Sequence, residues 1–258
     1  MERMMRRYGA ATLVAGLLVV LGASATKADF LLRRAGGSFE DRFTSIDQTH
    51  WQRGDGWSNG TYMGCGWNAR NVAVQNGRLA LSITDQPSAQ ERFSCAEYRT
   101  QRPYGYGTYA VNLKAVRGDG VMTTVSHYTG PPFGDPWDEI TFGIAGKDTT
   151  KLEIGYVVRG VGRRDIVIDL GFDAAKEFHT YGFEAKANRI AWTVDGRVVH
   201  TAEGGLNDLP QSPGWFYLKF WNGSGQSSWL KPFKYSGRPL TAEIAWVRYE
   251  EDTSALSN

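Results

Sequence analysis

Ten short runs of alternating apolar and polar residues, each closed by glycine, proline or an Asx residue, constrain this chain more than any other feature. They read "GRLALSI", "GTYAVNLKAV", "DEITFGI", "KLEIGYVV", "DIVIDL", "HTYGFEA", "RIAWTVDG", "RVVHTA", "WFYLKFW" and "AEIAWVRYE". A period of two over four to eight residues places one side-chain set on each face of a strand. Helix-period signal is nearly absent; "DAAKEF" at 173–178 has room for about one turn. "VDGR" at 194–197 carries the Asp-Gly pair of a tight hairpin. With no repeat and no long linker, the pattern implies an all-β sandwich or barrel.

The first 28 residues are read separately. Arg3, Arg6 and Arg7 precede an apolar stretch from Gly9 to Gly22, and small residues follow up to Ala28. This is the pattern of a secretory signal peptide, so residues 29–258 form the expected mature domain, secreted or periplasmic. No later apolar run approaches the roughly 18 residues of a membrane helix. The leader holds four basic residues and Glu2, so the +2 of the whole chain becomes about −1 after its removal. Nothing in that balance points to nucleic acid, and the chain is read as a monomer. The two cysteines, Cys65 and Cys95, favour a disulfide in an exported chain, with two buried thiols as the alternative.

Alternation assigns faces on three strands. Ile140, Phe142 and Ile144 face a core, leaving Trp137, Glu139, Thr141, Gly143 and Ala145 on the other side. Leu152, Ile154 and Tyr156 point inward, and Glu153 and Gly155 outward. Phe216, Leu218 and Phe220 point inward; Trp215, Tyr217, Lys219 and Trp221 point outward. A face so rich in aromatic rings suits stacking on the apolar C–H faces of sugars, or else lies beneath a second layer of core.

The stretch "GDPWDEITFGIAGKDTTKLEIGYVVRGVG", with "DGWSNGTYMGCGWNARNV", "FSCAEYRT", "YGYGTYAV" and "FWNGSG" in the same order, resembles the bacterial lichenases, endo-β-1,3-1,4-glucanases of glycoside hydrolase family 16, and the related exopolysaccharide-trimming glycanases. The resemblance implies a concanavalin-like jelly roll of two antiparallel sheets with a concave glycan groove. It implies a β-linked polysaccharide partner, either mixed-linkage glucan or bacterial exopolysaccharide, and supports the Cys65–Cys95 bridge. The family's catalytic strand offers Glu, Asp and Glu at alternate positions. By that resemblance Glu139 is the nucleophile, while Thr141 stands for the assisting Asp and Gly143 for the acid/base Glu. Retaining cleavage needs two carboxyls across the bond. Losing the acid typically costs about 10²–10⁴-fold, so ordinary hydrolysis is expected to be weak or lost.

The turn at 146–149 pairs residues whose numbers sum to about 296, which places Glu153 beside Gly143. The family usually carries a neutral residue there. Glu153 is therefore a candidate substitute acid/base, or a residue that only bonds sugar hydroxyls or pairs with Lys219. The resemblance assigns Trp57, Asn59, Glu97, Arg99, Tyr128, Trp137, Asp165 and Trp221 to substrate binding, with Lys219 in place of an Asn and Ser126 in place of an aromatic. His127 and His179 are read as structural. No cofactor is expected, and a structural calcium is disfavoured because Ala245 occupies the position of its Asp ligand.

Overall fold

A computed structural model describes residues 37–253, except the side chains of 163–165; the expected leader lies outside the described residues. The strands are β1 (Phe39–Asp41), β2 (Trp51–Arg53), β3 (Cys65–Trp67), β4 (Val72–Gln75), β5 (Arg78–Ile83), β6 (Phe93–Thr100), β7 (Gly107–Lys114) and β8 (Val121–Thr129). They continue with β9 (Asp138–Ala145), β10 (Lys151–Val158), β11 (Val161–Asp169), β12 (His179–Lys186), β13 (Arg189–Val194), β14 (Arg197–Glu203), β15 (Trp215–Asn222) and β16 (Leu240–Glu251). One helical turn, α1 (Ser227–Leu230), follows β15. "DAAKEF" forms a hydrogen-bonded turn, with the Lys176 amide on the Asp173 carbonyl, rather than a helix.

Two sheets face each other. One runs β14-β13-β12-β7-β16-β5-β4, with β1 on β16; the other runs β11-β10-β9-β8-β15-β6-β2, with β3 on β6. Pairing is antiparallel except at β3–β6, where a parallel ladder sets Trp67 opposite Cys95 beside the Cys65–Cys95 disulfide. The bridge joins Cα atoms 5.7 Å apart. The fold observed is the sandwich, one of the two architectures that alternation allowed, in the jelly-roll form that the resemblance implied.

The core follows the parity of the strands. Ile140, Phe142 and Ile144, Leu152 and Ile154, and Phe216, Leu218 and Phe220 are all buried, and they meet Tyr109, Phe183, Trp192 and Ile244 from the opposite sheet. Each such side chain contributes roughly 1.5–3 kcal/mol by leaving water. Tyr156 keeps its inward assignment, opposite Ile140 and packed against the core, but is only half-buried. The β10–β11 register shifts between Ile154 and Tyr156, and the ring tilts against Trp192 with centroids 6.3 Å apart. The extra residue lies in β11, where three steps from Ile166 to Arg163 oppose two from Ile154 to Tyr156. The hairpin at 194–197 turns through Asp195 (φ 48°) and Gly196 (φ 76°), the paired positive dihedrals of a type I′ turn.

Candidate active-site groove

Residues opposite one another in adjacent strands share a face, so the ladders of the second sheet set out the groove in transverse rows. The first row crosses Trp215, Tyr128, Glu139 and Val157. The second crosses Arg99, Tyr217, Ser126, Thr141 and Gly155. The third crosses Glu97, Lys219, Thr124, Gly143, Glu153 and Val167. Glu153 lies directly opposite Gly143, as the hairpin arithmetic requires.

Glu139 sits where two cavities join. The larger, about 880 Å³, is lined by Trp57, Asn59, Glu97, Arg99, Tyr128 and Trp137 among others. The smaller, about 200 Å³, is lined by Thr141, Gly143, Glu153, Lys219, Trp221 and Trp229 among others. The Trp137 indole donates to Glu139 Oε2 at 3.1 Å. Trp57 and Trp137 are 38% and 43% exposed, so their rings are open to a ligand. Trp221 and Tyr217 are buried instead: Trp221 Nε1 donates to Thr124 Oγ1 at 3.1 Å, and Arg99 and Lys219 lie over the Tyr217 ring.

Thr141 and Gly143 differ in what occupies the groove beside them. The Thr141 hydroxyl donates to the Val125 carbonyl at 3.1 Å and so serves its own sheet. At Gly143 a Cβ would meet Met122 Cε at 2.4 Å and the Thr123 carbonyl at 3.1 Å. The end of a buried thioether therefore occupies the space through which a side chain at 143 would leave the strand. Glu153 Oε2 accepts the Trp229 indole N–H at 2.7 Å. Trp229 belongs to α1, and its carbonyl accepts from the Lys147 ammonium in the turn between β9 and β10.

Glu97 is the deepest acid of the groove. Burial pushes its carboxyl above the usual range, and Lys219, Arg99 and a hydrogen bond from Asn59 oppose that rise. Asn59 is fixed in turn, its Oδ1 accepting the Trp67 indole at 3.0 Å. The disulfide ties the segment carrying Asn59 to the strand carrying Glu97 and Arg99. The side chain of Asp165 lies outside the described residues. His127 is buried on the opposite face, with Nε2 2.9 Å from the Tyr104 carbonyl and 2.8 Å from the Gly214 amide; burial lowers its pKa to about 4. His179 stacks on Phe172 and pairs with Asp195 at the far sheet. Among the described residues, no three His, Cys, Asp or Glu side chains gather closely enough to hold a metal ion.

Sequence reasoning did not find Met122, Trp229, Tyr62 or Phe133. Met122 was within reach of the pattern: it pairs with Ala145, which makes it the diagonal neighbour of Gly143. Phe133 stacks on Trp215 at 3.6 Å and lies under Arg99 at 5.3 Å, closing one wall of the larger cavity.

Comparison with known proteins agrees with this geometry. Residues 59–248 match the family described as glycosyl hydrolases family 16. A beta-glucanase of Bacillus licheniformis is 42% identical over 239 residues, which are 92% of this chain and 94% of that one. The solved structure named for a Bacillus licheniformis beta-glucanase superposes with a TM-score of 0.80 at 42% identity, covering 85% of this chain and 100% of that one. A prokaryotic beta-1,3-1,4-glucanase (lichenase) from a mouse hindgut metagenome superposes at 0.79 with 40% identity, covering 84% of this chain and 100% of that one.

Proposed function

Because this chain belongs to glycosyl hydrolase family 16, we propose that it engages neutral β-linked glucan in the Glu139 groove and that its ordinary retaining hydrolysis is weak or lost. The observation that carries this reading is the Met122 methyl, 2.4 Å from where a Cβ at Gly143 would stand. A retaining cleavage forms a bond between the nucleophile and the anomeric carbon while an acid protonates the departing oxygen. Glu139 supplies the first group. A glycine beneath a thioether supplies no proton, and an unprotonated sugar oxygen leaves slowly. The loss, about 10²–10⁴-fold, is enough to turn an enzyme into a binder.

Mixed-linkage β-glucan is the favoured ligand. The groove faces substrate with Glu97, Glu139 and Glu153 against Arg99 and Lys219, a balance that does not favour an acidic exopolysaccharide. Trp57 and Trp137 supply stacking surface and Arg99 a planar donor. Export by the N-terminal leader and a monomeric state complete the reading; sequencing of the mature N-terminus and size-exclusion chromatography test them.

One observation favours a second reading, an active endo-β-glycanase or transglycosylase in exopolysaccharide processing that uses Glu139 with Glu153: both acids line the same cavity of about 200 Å³. Four residues along a strand, about 13 Å, and one strand across, about 4.8 Å, separate their backbones. With both side chains leaning toward each other, that backbone offset of about 14 Å leaves room for the ~6.5–9.5 Å of an inverting pair, in which one carboxylic acid protonates the leaving oxygen while the other carboxylate activates water. The Glu153 oxygen that accepts from Trp229 is held as an acceptor, so a transferable proton belongs on its other oxygen.

Reducing-sugar release from barley β-glucan, lichenan and bacterial exopolysaccharides separates the two readings. The binder reading expects retention on glucan gels with little release. Ready turnover abolished in both Glu139→Gln and Glu153→Gln would overturn it in favour of the second.

A further inference from the structure

The two cavities share Asn59, Tyr62, Glu139 and Lys219. Three of these already have a place in the groove. We infer that Tyr62 is a glycan-contacting residue that decides whether a sugar ring is held on the Gly143 side of Glu139; this rests on the glucan-binding reading above.

Tyr62 belongs to the segment between β2 and β3, yet it is fixed. Its carbonyl accepts the Ser224 amide at 2.8 Å, the neighbouring Met63 bridges to Gly223, and the Gly64 amide donates to the Asn222 carbonyl at 2.8 Å. These contacts tie it to the turn that follows β15. Its ring stands edge-on to Trp221, with centroids 5.6 Å apart and planes at 86°, and Trp221 tilts against Trp229 at 6.0 Å. The three rings form one wall of the smaller cavity, facing Glu139, Thr141, Gly143 and Glu153. Trp221 is buried within that wall, whereas Tyr62 is 41% exposed and offers the cavity both a ring and a hydroxyl. Burial and the nearby Glu139 carboxylate raise the phenol pKa, so it remains a neutral donor at physiological pH.

A flat apolar ring with one O–H donor matches a pyranose, whose C–H face packs on aromatic carbon and whose hydroxyls accept. The acids around it, Glu139 and Glu153, accept hydroxyl donors from the same sugar. Among the described residues only Lys219 lines this cavity with a positive charge, so the ring that fits is an uncharged β-linked glucosyl residue without an acidic substituent.

The test measures affinity for mixed-linkage gluco-oligosaccharides of increasing length by calorimetry, in a Glu139→Gln background that removes turnover. The background protein should show a step of about tenfold when the ligand first reaches past position 139. Tyr62→Ala should abolish the step and leave the shorter ligands within twofold. Tyr62→Phe, which keeps the ring, should retain about a threefold step. An undiminished step in Tyr62→Ala, or the absence of any step in the background, overturns the inference while glucan binding stands. Loss of affinity for short and long ligands alike in both variants also overturns it, because that marks general damage. Failure of the background protein to bind glucan at any length removes the groove reading and this inference together.

Discussion

Placing carboxylates at Thr141 and Gly143 gives the sharpest test of the proposed loss of hydrolysis. The geometry predicts that Thr141→Asp with Gly143→Glu falls short by itself. A Cβ at 143 starts 2.4 Å from Met122 Cε and 3.1 Å from the Thr123 carbonyl. The thioether is the flexible partner of the two; the carbonyl belongs to a strand paired on both sides and yields only by tenths of an ångström. The new Glu must therefore turn the Met122 methyl aside into the smaller cavity that it lines, at the low end of the about 1–3 kcal/mol usual for overpacking. Met122→Val removes the obstructing methyl, keeps an apolar β-former in the strand, and costs roughly 1–2 kcal/mol for the lost volume. The triple variant is expected to release reducing ends from barley β-glucan about 10²–10⁴-fold faster than wild type, the usual worth of a positioned acid. The double variant should gain an order of magnitude less and should melt lower than the triple. Full activity in the double variant would show that Met122 obstructs nothing. A folded triple variant that stays inactive on every β-glucan would show that more than these two positions separates the groove from a hydrolase's.

Three further outcomes follow from the same geometry. His127 is held near pKa 4 when folded against 6.5 unfolded, so its stabilisation is complete above pH 6.5 and is lost as pH falls toward 4. Between pH 7.5 and 4.5 it should remove about 2.5 kcal/mol from the free energy of urea unfolding, a component absent in a folded His127→Gln variant. Replacing Cys65 and Cys95 together by Ser opens a 30-residue span and should cost about 3.5 kcal/mol, read as a lower melting temperature matched by reduction of wild type. Trp57→Ala should weaken glucan binding roughly fivefold, about 1 kcal/mol, without moving the melting temperature, because its ring is 38% exposed.

Much of the sandwich was legible because alternation is a local signal. Ile140, Phe142 and Ile144 declare their face without help from any other strand. The β9–β10 register was legible because the turn at 146–149 is tight, and a tight turn fixes which residues face each other. β8 was not. Val121–Thr129 carries Thr123, Thr124, Ser126 and His127 and is not among the alternating runs, yet it lies between β9 and β15 with all but Thr124 and Tyr128 buried. Thr123 fits there between Phe220 and Ile144, and Ser126 beside Tyr217. Missing β8 hid Met122, and with it the physical reason that the seat at Gly143 is closed. Tyr62 and Trp229 escaped for another cause: irregular segments bring them to the groove, and no periodicity encodes where such segments lie.

The Trp192 indole crosses the interior to donate to the Thr141 carbonyl at 3.1 Å. That contact rivets the groove floor to the convex sheet behind it, at a backbone atom indifferent to which side chain position 141 carries. Chemistry at this strand can thus be exchanged while its curvature is inherited, and a substitution at Trp192 would warp the trough without touching any sugar.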